Sequence, residues 1–298
     1  MENRPPEWIS QAERGQTLAI RLIVWVALKV GRRAARLLLY PITLYFLLFS
    51  ITAREASRRY LRRVLAVEPR VTHLFRHYHT FASTILDRVF YLHGEYARFD
   101  VEVSGEQIVR DSLASGEGCL LFGAHVGSFE VIRALGRESG RARISMVMYE
   151  DNARKINSVL NAINPEAVLD VIPLGRIDSM LKVQNALARG ELVGILADRA
   201  IAGEGMTTRS FLGAPARVPL GPFRIAAMLK RPVILMFGIY RGGNRYEIHF
   251  ENLVDLRHVN RSERAAVLDA AITKYVERLE HYCRTAPYNW FNFYDYWA

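Results

Sequence analysis

The stretch Cys119 to Leu135, CLLFGAHVGSFEVIRAL, limits most sharply what this chain can fold into. Cys119 to Phe122 is an apolar run of strand length, Gly123 breaks it, and Phe129, Ile132 and Leu135 return at helical spacing. The pattern is a buried strand, a turn and the start of a helix, with His125 in the turn and Glu130 five residues later. On one continuous helix, residues five apart point about 140° away from each other. A turn relaxed by Gly127 removes that obstacle, so Glu130 in the first helical turn is expected to face His125. A histidine oriented by a carboxylate is a general base suited to neutral pH.

The rest of the second half alternates strand and helix. Asp100 to Ser104 reads as an edge strand and Glu106 to Leu113 as a helix. Ile144 to Met148, Val168 to Ile172 and Leu192 to Ala197 read as strands, with helices at Ala153 to Ile163 and Ser179 to Ala188. Val233 to Tyr240 and Tyr246 to Phe250 form a hairpin, and Arg261 to Cys283 a long amphipathic helix. This alternation predicts an α/β fold, a mixed and mostly parallel sheet covered by helices, whose ligands gather at the carboxyl ends of strands. His125 and Asp198 both follow such ends. The Gly116-Glu117-Gly118 triplet precedes its strand, whereas a dinucleotide loop follows one. No serine nucleophile elbow and no P-loop occurs, which argues against a serine hydrolase and a nucleotide enzyme.

The N-terminal third is different in character. Residues 1 to 63 hold 12 Lys/Arg against 4 Asp/Glu and so carry +8 of the chain's net +10. These charges flank two apolar runs, Thr17 to Val30 and the uncharged Leu37 to Ala53, an arrangement that suits an anionic membrane surface and not nucleic acid. A span needs about 20 apolar residues, so the expected anchor is a helical hairpin or one tilted span in residues 1–53. Arg32, Arg33, Arg36 and Arg54 are expected to reach lipid phosphates. No cleavable signal peptide is read, because no small-residue cleavage site follows the apolar run. Residues 54–98 read as amphipathic helix, and 99–298 as the α/β domain. His73 and His77 have zinc-like i, i+4 spacing without a third ligand, and are read as a solvated helix face. Two cysteines in 298 residues suggest no disulfide framework and a reducing compartment.

Three blocks carry a family resemblance. GAHVGSFE resembles the His-x4-acid signature of the lysophospholipid acyltransferase superfamily, in the branch of the late lipid A biosynthesis acyltransferases. Asp198-Arg199 after a strand is similar to a second family turn, where the lipid A enzymes usually have Gln or His in place of Arg199. Phe211-Leu212-Gly213 followed by Pro219-Leu220-Gly221-Pro222 is similar to a third. Within the superfamily the chain looks most like acyltransferases of the aryl-polyene or ornithine-lipid type. The resemblance implies His125 and Glu130 as catalytic residues. It implies substrate contacts from Gly127, Ser128, Asp198, Arg199, Phe211, Gly213, Pro219, Gly221 and Pro222. Arg199 could grip a phosphate or carboxylate, or stabilise an oxyanion.

The expected reaction moves a fatty acyl chain from an acyl thioester, on acyl carrier protein or coenzyme A, to a lipid-like or glycolipid acceptor. No metal or other cofactor is implied. Membrane lipids and acidic acyl carrier protein are the expected partners, at the cytoplasmic face of a bacterial inner membrane. The rival reading is a catalytically silent lipid-binding or assembly subunit. The aromatic tail Pro287 to Trp297 could line the acyl groove, lie at the membrane interface or pack across the sheet.

Overall fold

The computed structural model describes residues 24–114, 116–138, 143–149, 171–174, 178–199 and 205–297. The helix read at Ala153 to Ile163 lies outside them.

A seven-stranded sheet runs in the order β1-β9-β8-β2-β5-β3-β4. Its strands are β1 (Asp100–Ser104), β2 (Leu120–Gly123), β3 (Ile144–Tyr149), β4 (Val171–Leu174), β5 (Leu192–Leu196), β8 (Pro232–Gly242) and β9 (Arg245–Asp255). All neighbours pair in parallel except β8 and β9, which form the antiparallel hairpin expected from their glycine turn. β1 is an edge strand, as read; of the strand read at Val168 to Ile172, residues 168–170 lie outside the described residues and Val171 and Ile172 are in β4. A separate two-stranded hairpin joins β6 (Met206–Phe211) to β7 (Ala214–Pro219).

The four residues of β2 are all buried, which is why its sequence is a continuous apolar run without alternation. Its neighbours still divide by face. Leu120 and Phe122 pack with α2 (Ile51–Leu65), α6 (Ser179–Ala188), α7 (Gly221–Leu229) and α8 (Arg264–Thr285). Cys119 and Leu121 pack on the other side, with α1 (Arg32–Phe49), α4 (Glu106–Ala114) and α5 (Phe129–Glu138). The long helix α3 (Val71–Leu92) contributes to both cores, through Leu74 and Tyr78 on one side and Leu86, Val89 and Phe90 on the other. Both cysteines are free and buried.

The N-terminal helices are built into this architecture. Gly31 breaks the chain after helical residues 24–29 with φ +106°, and α1 follows. Ala35, Leu39, Thr43 and Leu47, at i, i+4, i+8 and i+12, face inward. Arg32 forks onto the buried Asp87 carboxylate at 2.7 and 2.8 Å, and Asp87 also accepts from the Tyr246 hydroxyl. Arg36 donates to Tyr240 and to the Gly243 carbonyl, and Arg54 caps the Leu47 and Leu48 carbonyls. Three of the four arginines expected at lipid phosphates are therefore bound to protein acceptors, of which the Asp87 carboxylate is buried.

The opposite face of α1 is apolar and exposed. Leu37, Tyr40, Leu44, Tyr45, Leu48 and Phe49 form the stripe, with Leu37 and Phe49 each 69% accessible. Among the described residues no single helix is long and apolar enough to cross a membrane. α1 and α2 meet the test only together, with a 96° bend between them.

Candidate active site

β2 and β5 are neighbouring parallel strands in the register Gly123↔Leu196. The residues that leave them, His125 and Asp198, therefore meet two positions further on. His125 Nδ1 lies 2.8 Å from Asp198 Oδ1, and the His125 amide donates to Oδ2 at 3.0 Å. A carboxylate only accepts, so the proton of the neutral imidazole sits on Nδ1 and the Nε2 lone pair is left available. Nε2 takes no hydrogen bond among the described residues, and the side chain is 28% exposed. Asp198 is wholly enclosed.

The orienting carboxylate was expected to be Glu130, and here the structure corrects the sequence reading. Glu130 sits in the first turn of α5 and is buried there, accepting from Arg133 one turn on at 2.9 Å, with Arg88 of α3 at 3.8 Å. An Arg three residues away on the same helix is the closer partner, and the turn before α5 carries His125 toward β5 instead. That turn is held against β8: Gly127 has φ +64°, and a Cβ there would stand 1.9 Å from the Gly238 carbonyl oxygen. Gly238 has the reciprocal constraint, its own Cβ position lying 2.3 Å from the Ser128 carbonyl. Only glycine fits at either place.

A third element completes the site. The tail after α8 returns alongside the turn, Phe291 N–H donating to the His125 carbonyl at 2.7 Å and Gly127 N–H to the Asn289 carbonyl at 2.8 Å. Trp290 is wholly buried and its indole N–H donates to Asp198 Oδ2 at 3.1 Å, as does the Asn292 amide. Of the three placements open for the aromatic tail, this is packing at the carboxyl edge of the sheet.

Electrostatics follow from this enclosure. Burial lowers the His125 pKa below its ordinary value and the Arg199 charge lowers it further, while Asp198 pulls the other way without prevailing. Burial opposes ionisation of Asp198, but its contacts with His125 and the nearby Arg199 outweigh it and hold the carboxyl well below the usual range. The result at neutral pH is a neutral imidazole on a charged carboxylate. Tyr275, Tyr294 and Tyr296 surround the pair with phenols whose pKa values burial pushes up. Arg199 donates to Asn292 and the Phe291 carbonyl and lies over the Tyr294 ring. These contacts tie its guanidinium to the tail.

The remaining expected contacts are more distant. The Ser128 amide is occupied by the Gly238 carbonyl. Phe211 packs edge-on against Trp290, one layer behind Asp198. Gly213 turns the β6–β7 hairpin, Pro219 ends β7, and Gly221 and Pro222 open α7, whose Phe223 packs on Phe122. The hydrogen bonds of the His125–Asp198 pair run to the tail and not to these four residues.

His77 also departs from expectation. It is wholly buried, its Nδ1 2.7 Å from the Ser57 hydroxyl and its Nε2 2.8 Å from the Trp290 carbonyl. Burial lowers its pKa to about 4. Its place i+3 from Leu74 and i−4 from Phe81 puts it on the apolar face of α3, a signal available in the sequence.

Fold and site together define an α/β enzyme with a histidine–carboxylate pair at the carboxyl ends of two central parallel strands. The chain belongs to the bacterial lipid A biosynthesis acyltransferase family, whose model matches residues 12–298. It is accordingly an acyltransferase of lipid biosynthesis. A comparison with curated proteins gave no match.

Proposed function

We propose that this acyltransferase moves a fatty acyl chain from a thioester, on acyl carrier protein or coenzyme A, to a hydroxyl or amine of a lipid-like or glycolipid acceptor. One observation carries the reading: His125 has Nδ1 tied to Asp198, and its partly exposed side chain leaves Nε2 without a hydrogen bond among the described residues. Nε2 takes the acceptor proton as the acceptor oxygen or nitrogen attacks the thioester carbonyl carbon. The imidazolium, stabilised by Asp198, then returns that proton to the departing thiolate. Burial, with the charge of Arg199 beside the pair, keeps the resting imidazole neutral. Glu130 contributes by fixing the start of α5 through Arg133 and Arg88. No metal or other cofactor enters this sequence of steps.

The seat of the protein is the cytoplasmic face of a bacterial inner membrane, with α1 lying flat in the interface. What supports this is the exposed apolar stripe on a helix whose other face packs on protein, the signature of an in-plane helix. The exposed cation Arg58 on α2 suits either anionic lipid or the acidic carrier protein.

The test is transfer itself. Full-length protein incubated with bacterial membrane lipid and labelled acyl carrier protein, or labelled acyl coenzyme A, should yield a new acylated lipid, and His125→Ala should yield none. Absence of product from both donors would favour the silent lipid-binding subunit, and a His125→Ala variant as fast as wild type would remove the base from its role.

A further inference from the structure

We propose that Trp290 and His77 are positioning residues of this active site, holding the His125–Asp198 pair through a clamp that runs from the N-terminal helices to the C-terminal tail. The inference rests on His125 as the base and adds what fixes its partner. Asp198 Oδ2 accepts three donors: the His125 amide at 3.0 Å and the Trp290 indole and Asn292 amide at 3.1 Å each. Oδ1 is left to the imidazole. Two of the four hydrogen bonds that aim this carboxylate therefore come from the tail.

The tail is itself held from the other side. The Trp290 carbonyl meets His77 Nε2 at 2.8 Å, and His77 Nδ1 meets the Ser57 hydroxyl at 2.7 Å. A carbonyl only accepts, so Nε2 carries the proton, Nδ1 accepts from Ser57, and both nitrogens of a neutral His77 are satisfied. Trp290 is thus gripped at both ends, by its carbonyl from α3 and α2 and by its indole at Asp198. Tyr60 of α2, at 4.9 Å between ring centroids, and Phe211, at 5.2 Å, pack edge-on against the same ring.

Because donors to Oδ2 draw charge from the carboxylate, removing one leaves more of it for the imidazolium. Trp290→Phe should therefore raise the His125 titration midpoint, a change that general loosening does not specify. His77→Leu frees the Trp290 carbonyl and lets the tail shift, with the same sign. His77→Gln can still donate to that carbonyl and accept from Ser57, and should restore the wild-type value.

The measurement is histidine 15N NMR on the full-length protein in detergent, the His125 signal being identified by its loss in His125→Ala. The transfer assay runs beside it. We expect an upward midpoint and a fall in kcat of about tenfold to a hundredfold at unchanged KM in Trp290→Phe and His77→Leu, with wild-type behaviour in His77→Gln. A wild-type midpoint and kcat in Trp290→Phe would overturn the proposal. If His77→Leu does not fold, Trp290→Phe and His77→Gln decide alone. The titration needs no substrate, so a wild-type protein without transfer would sink the functional reading and leave this one standing.

Discussion

Burial and Arg199 pull the His125 imidazole one way and Asp198 the other, and in the proposed mechanism that balance sets where the enzyme works. Burial and Arg199 together lower its pKa, so the acid limb of kcat/KM should lie below pH 6.5, the ordinary histidine value. Arg199→Gln removes the opposing charge and should move that limb to higher pH; a limb that stays in place would separate Arg199 from the base. His77 provides a second pH signature, in stability. Its folded pKa is depressed to about 4, so the unfolded chain binds the proton first as pH falls. Stability from this residue is complete above about pH 6.5 and declines as pH falls toward 4, by about 3 kcal/mol. A thermal melt series should show part of that acid loss missing in His77→Gln, which has no proton to gain. Glu130 lies between two arginines, and Glu130→Ala would remove the buried carboxylate that faces both. A loss of about 3 kcal/mol is expected, read as a lower melting temperature.

The elements explain why part of the site was legible in the sequence and part was not. β2, its turn and α5 are encoded within Cys119 to Leu135, and both His125 and Asp198 could be assigned to strand ends from local patterns alone. That the two side chains meet depends on β5 lying beside β2, although β3 and β4 intervene in the chain. No local periodicity encodes that order, so the nearer acid, Glu130, drew the assignment. The tail shows the same limit: Trp290 reaches Asp198 across 92 residues. In α1 the apolar content was legible, but its division into an inward face at Leu39 and Leu47 and an outward face at Leu44 and Leu48 required α3 as a reference. Deleting residues 1–53 would therefore strip core residues such as Leu39 and Leu47 as well as the exposed apolar stripe. Leu44→Glu combined with Leu48→Glu tests the interface alone, and should release the protein from anionic vesicles with its melting temperature retained. Undiminished binding would place the membrane contact elsewhere.

Among the described residues, the two faces of one sheet are covered by helices that also carry the exposed apolar stripe and the clamp on the tail. Helices α2 and α3 and the tail after α8 converge on the two strand ends where His125 and Asp198 meet, so the candidate site is assembled from distant parts of the chain. In the proposed mechanism the joint that matters most is the Nδ1–H bond to Asp198, because it fixes the tautomer and would support the imidazolium during transfer. Asp198→Asn keeps the shape and removes the charge, as in histidine–carboxylate catalysis generally, where such a change costs up to about 10⁴-fold in kcat. Measured in the acyl-transfer assay on protein with a wild-type melting profile, Asp198→Asn should lose kcat by at least about a hundredfold with KM little altered. Wild-type turnover in that variant would contradict the assignment of Asp198 as the partner of the base.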